Sequence, residues 1–99
     1  MPILLIAAAA FAPSVWADTY TVDTTADTTT PGGCVSASPC SLRDAINAAN
    51  LNVGPDEIHF NIPASMADPG HGKYVIVPDV NGLPDVTDTV NLDATSQPE

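Results

Sequence analysis

Basic side chains are almost missing from this chain. Arg43 and Lys73 stand against twelve acids, giving a net charge of −10 over 99 residues. Phosphate backbones and anionic lipid surfaces repel such a molecule, so nucleic-acid partners and peripheral membrane docking are both disfavoured. Long apolar runs are missing too. Residues 3–11 form an uninterrupted apolar stretch, but it falls far short of the roughly 20 residues that a bilayer-spanning helix needs. Cysteine is limited to Cys34 and Cys40. A zinc site would need further ligands nearby, and a redox pair usually has C-x-x-C spacing rather than the C-x5-C found here. In an oxidising compartment an even pair this close reads as a structural disulfide.

What is present at the start of the chain fits export. The apolar run is followed by Pro13 and then by Ser14, Val15, Trp16 and Ala17. Val15 and Ala17 supply the small-residue pattern that a signal peptidase accepts, with Asp18 opening the polar mature chain. Residues 1–17 are therefore expected to be a removable signal peptide cut between Ala17 and Asp18, and the protein to be secreted or displayed on the cell surface. The basic residues that usually precede the apolar core are lacking after Met1 and Pro2, so the true start is expected upstream of Met1. Residues 96–99 do not resemble a natural terminus either, and the sequence reads as a fragment.

The mature chain is rich in Asp, Thr, Asn, Pro and Gly, which favours strands and turns over long helices. In residues 18–24, Tyr20 and Val22 alternate with Thr and Asp, the pattern of a half-buried strand. One helix is predicted. Ser41 is its N-cap, with Asp44 placed to complete a capping box, and Leu42, Ala45, Ile46 and Ala49 form an apolar stripe. The stop signals lie at residues 52–55. Arg43 opposes the helix dipole in the first turn, a position made tolerable by a carboxylate such as Asp23 or Asp27, or by solvent. Residues 57–62 alternate as a second strand. Residues 73–77 carry a continuous apolar run read as a third, and Val86, Val90 and Leu92 mark a last one.

The run Cys40, Ser41, Leu42, Arg43, Asp44, Ala45, Ile46, followed by Asn47 to Asn50 and by Gly54 to Phe60, resembles the CSLREA domain. In that family the module precedes right-handed parallel β-helix repeats in exported surface proteins. The opening residues 20–27 and the tail 83–98 match the family's first strand and first coil. Asp44 replaces the usual Glu, and Ala94 and Glu99 stand where glycine is commoner. The resemblance implies a mainly β fold: an N-terminal cap with a disulfide and one short helix over residues 18–56, then the first coil or coils of a β-helix over residues 57–99.

No catalytic constellation is legible. Glycoside hydrolysis needs paired carboxylates at a set separation, and the candidates Asp79, Asp85, Asp88 and Asp93 fall among turns and strand edges. Asp79, Asn81 and Gly82 begin like a calcium loop but lack its closing Glu, so a plain Asn-Gly turn is expected there. His59 and His71 have no third metal ligand placed, and neither metal nor cofactor is expected. The expected role is a structural capping module whose partners are downstream β-helix coils of the same polypeptide, in a protein that binds carbohydrate or another cell-surface ligand. The rival is the leading segment of a carbohydrate-active β-helix enzyme, a lyase or hydrolase with its active site past residue 99.

Overall fold

The structure is a computed structural model that describes residues 17–70 and 72–98. The expected signal peptide up to Trp16, together with His71 and Glu99, lies outside the described residues. Strand β1 (Thr19–Val22) leads through a long loop to helix α1 (Leu42–Leu51), and a short turn then feeds β2 (Asp56–Phe60). An extended irregular segment follows, with a 3₁₀ turn at Ala64–Met66, before β3 (Val90–Leu92) and a second 3₁₀ turn at Ala94–Ser96. The three strands form one parallel sheet in the order β1-β2-β3. Parallel neighbours need a crossover connection, and α1 lies within the first of them.

Register explains the core. Tyr20 pairs with Ile58 and Val22 with Phe60, so the inward residues of both strands line up on one face. Ala45, Ile46, Ala48 and Ala49 of α1 are buried with them, as are Cys40 and Ile62. The small side chains of α1 let the helix approach the sheet closely, and burial of this stripe supplies the stability that a ten-residue helix lacks by itself. β3 continues the same face, with Val90 beside Asp56 and Leu92 beside Ile58. Leu92 nevertheless stays 52% exposed.

The expectation of a mainly β chain made of β-helix coils is overturned. The strands have four, five and three residues, while α1 has ten, so the unit is a helix packed on a small parallel sheet. The strand expected at residues 73–77 does not form. Lys73 makes an isolated bridge to Asp68, and beyond it Tyr74 and Ile76 turn toward the core while Val77 is 72% exposed. Pro78 closes the segment without an amide N–H to offer a ladder. An apolar run makes a strand only when a neighbouring strand accepts it, and residues 74–77 pair with neither outer edge of the β1-β2-β3 sheet.

Side chains take over where the short ladder stops. Past the end of β3, Ser96 Oγ accepts from the Phe60 amide at 2.7 Å. The Gln97 carboxamide then accepts from Ile62 N at 2.7 Å and donates to Ile62 O at 3.0 Å, as a paired backbone residue would. Asn50 does the same at the helix end, donating to Asp85 O and accepting from Thr87 N, each at 2.8 Å.

Ile58 is fully buried between the two flanking strands, so Ile58→Ala is expected to lower unfolding free energy by about 3 kcal/mol. Val77→Ala should change it by less than about 0.5 kcal/mol. Urea titrations of the two variants beside the parent protein check both values.

Candidate functional site

The densest set of polar contacts surrounds the start of α1. Cys34 and Cys40 form a disulfide with Cα atoms 4.5 Å apart. The loop it closes is drawn onto Gly32, whose carbonyl accepts from the amides of Val35, Ser36 and Ala37. Cys40 is tied to β1 twice: its amide donates to Asp23 Oδ1 at 2.8 Å, and its carbonyl accepts from Asp23 N at 3.0 Å. The disulfide therefore fixes where the chain leaves the edge of β1 and enters the helix.

Ser41 is wholly buried and caps the helix. Its hydroxyl accepts from Asp44 N at 3.0 Å and donates to Thr28 O at 2.7 Å. Asp44 does not complete the expected capping box. Its carboxylate turns outward from the helix to accept the amide of Thr30 at 3.0 Å, because an Asp arm is short and the Thr30 loop folds directly over it. Gly33 is required by that approach, since a Cβ there would lie 2.6 Å from Asp44 Oδ2. Leu42 is half-buried against the core, and Ala45 and Ile46 lie within it.

Arg43 finds Asp27 rather than Asp23. Its Nε and Nη2 donate to the two carboxylate oxygens at 2.9 and 2.8 Å, a bidentate pair with both side chains largely covered. Nη2 also donates to Gly82 O at 2.9 Å and lies 3.5 Å from Asp79. The Asp79 amide in turn donates to Asp27 at 2.8 Å. One guanidinium thus joins the loop after β1, the helix start and the turn at residues 79–82. Hydrogen bonding from Arg43 holds the Asp27 carboxyl below its ordinary range, and the same bond raises the guanidinium further above its own.

The other acids marked in the sequence serve local backbone. Asp79 caps the Asn81 amide within a turn closed by Gly82 at φ +78°. Asp88 accepts from Gly54 N and from Thr89 N. Asp93 accepts from the amide of Thr95, whose hydroxyl, with this amide, holds the Asp93 carboxyl low. At Asp85 it is the main-chain carbonyl that engages Asn50. His59 meets Glu57 at 2.7 Å with both side chains partly exposed. Among the described residues no group of three or more His, Cys, Asp or Glu could hold a metal ion. Nor is any helix there long and apolar enough to cross a membrane.

Two surface depressions flank the sheet. One, about 460 Å³, is lined by Thr19, Thr21, Asp23 and the disulfide loop. The other, about 220 Å³, is bordered by Phe60, Ile62, Tyr74, Ile76, Ala94 and Gln97. The sequence reading passed over Asp56, which is 2% exposed and lies at the other end of the sheet, where its Oδ1 accepts from Asp18 N at 3.1 Å. Its place at the head of an alternating strand, one residue ahead of Glu57 and two before Ile58, was the available signal that it shares the inward face. Asp18 itself is exposed, as is Ala17.

Searches of protein-family models, of curated proteins and of solved structures each found no match to this chain.

Replacing both cysteines by serine is expected to cost about 2 kcal/mol, the entropy returned to the unfolded chain when so short a loop is released. Denaturant titration with and without reductant measures it. The Asp27 effect has the opposite pH sense to that of a histidine switch. A carboxyl held low in the folded state adds stability above its unfolded pKa, and loses it as pH falls through the folded value. Thermal melts of the parent protein should therefore weaken from about pH 5 downward, and Asp27→Asn should flatten that part of the profile.

Proposed function

We propose that the chain from Asp18 onward is an extracytoplasmic structural module of a secreted or cell-surface protein, with no chemistry of its own. The observation that carries this reading is the disulfide: it anchors the helix cap to the edge of the sheet, and a bond of this structural kind persists where the surroundings are oxidising. The acidic surface, the signal-peptide pattern before Asp18 and the likeness to the CSLREA domain support the same compartment. A structural role is in keeping with the use of Asp27, Asp44, Asp79, Asp88 and Asp93, whose carboxylates accept main-chain amides.

The partner in this role is further chain of the same polypeptide. β3 is an edge strand among the described residues, and Val86 and Leu92 near it are more than half exposed. An edge of this kind accepts another strand through its unpaired amides and carbonyls. The ligand class of the whole protein in this reading is a carbohydrate or another cell-surface molecule.

Export from a bacterial host tests the reading. Mass spectrometry of the exported protein is expected to show Asp18 as the first residue and the two cysteines joined. A mature chain retaining Phe11, or cysteines that alkylate freely in the native protein, would overturn it.

A further inference from the structure

Asp56 carries one oxygen whose bonding is incomplete. Oδ1 accepts from Asp18 N at 3.1 Å and from the Asn52 side-chain amide. Oδ2 is buried and receives no hydrogen bond among the described residues. A buried carboxylate oxygen without a donor is costly, and neither basic side chain relieves it. Arg43 is engaged by Asp27, Asp79 and Gly82, and Lys73 lies in the exposed loop bridged to Asp68.

The donor already touching Asp56 is the nitrogen that a cut after Ala17 would convert from an amide to an amine. We propose that Asp56 and Asn52 form a socket for a primary ammonium, namely the α-amino group of Asp18 released by processing. The assignment rests on the export reading above. In the cut, the bond between the Ala17 carbonyl carbon and Asp18 N breaks. The oxygen of one water goes to that carbon, giving a carboxylate that leaves with the leader, and its two hydrogens go to the nitrogen. An N–H with one proton and no net charge becomes an ammonium with three protons and a full positive charge. One proton keeps the bond to Oδ1, and a second becomes available to Oδ2.

The nitrogen has little freedom to leave. Asp18 O accepts from Glu57 N at 2.8 Å, and the β1 pairing begins at Thr19 opposite Glu57, so the backbone is held immediately after the new terminus. Ala17 is exposed, which leaves the scissile bond open to a peptidase. The titratable groups around the socket are the Asp18 carboxylate, Glu57 beside it on β2, Asp88 on the turn before β3, and Tyr20 on β1. All are acidic. Burial, then the charges of Asp56 and Asp18, raise the Tyr20 hydroxyl above its ordinary pKa, so this end of the sheet is negative and short of a cation.

The test measures the α-amine of Asp18 through the pH dependence of its acetylation rate. The protein is prepared in two ways, by host export and by a site-specific endoprotease directed to the bond before Asp18 in the full chain. The amine is expected to titrate about one unit above the ordinary 7.7–8.0 of an α-amino group, which means acetylation about tenfold slower near pH 6.5 and about fivefold slower near pH 8. Asp56→Asn should return it to the ordinary value. As a control independent of Asp56 folding, the parent chain cut one residue earlier, at Ala17, should also titrate normally, because its amine lies one residue out of register. An ordinary pKa in the Asp18-terminated parent protein, or the same raised value in all three proteins, overturns the socket. Host cleavage at another bond, with a raised amine in the protease-cut protein, defeats the export reading and leaves the socket standing.

Discussion

The helix N-terminus at Ser41 is the joint on which the described structure turns. Four otherwise separate pieces of chain meet there: the end of β1 through Asp23, the disulfide loop through Cys40, the loop at residues 28–30 through Ser41 and Asp44, and the turn at residues 79–82 through Arg43. A helix of ten residues contributes little stability by itself. It is held because its first turn is pinned and its stripe of Ala45, Ile46, Ala48 and Ala49 then has only one surface to cover, the face made by Tyr20, Val22, Ile58 and Phe60. Releasing the cap would free the stripe and the loops together, since the same few residues hold both.

That joint also explains how a chain with so little regular structure keeps a fixed path. The ladder of β3 is three residues long, too short to order residues 63–98 by backbone pairing. Carboxamides extend it at both ends, Gln97 against Ile62 and Asn50 against residues 85 and 87. Each carboxamide supplies the donor and acceptor that a neighbouring strand would have presented, at the cost of side-chain entropy alone. The Asn50 and Gln97 side chains work here as portable pieces of backbone.

The legibility of the chain follows the range of the forces involved. α1 was readable because Ser41, the spacing of Leu42, Ala45, Ile46 and Ala49, and the stop after residue 51 are all local signals. The alternation at Tyr20 and Val22, and again at Ile58 and Phe60, was local too. The run Tyr74, Val75, Ile76, Val77 misled because strand formation depends on a neighbour that no local pattern reveals. The choice between Asp23 and Asp27 for Arg43 was equally nonlocal: Asp23 is needed at the Cys40 amide, which leaves Asp27 for the guanidinium. Asp56 escaped notice because acids in this sequence are so common at turns that a buried one does not stand out.

The acidity has a structural meaning beyond solubility. In a chain with two basic side chains, carboxylates cannot mostly be neutralised by ion pairs. Instead they accept main-chain amides: Asp23 from Cys40, Asp44 from Thr30, Asp56 from Asp18, Asp88 from Gly54, Asp93 from Thr95. An amide offers a carboxylate a partial charge that is fixed in place and needs no counter-residue, and bonds to an ionised acceptor are stronger than neutral ones. Loops that lack ladders are thereby closed one amide at a time. Asp56 stands apart from the others, because there the fixed amide of Asp18 meets one oxygen and the buried Oδ2 has no donor among the described residues, which is the deficit that the proposed ammonium would meet.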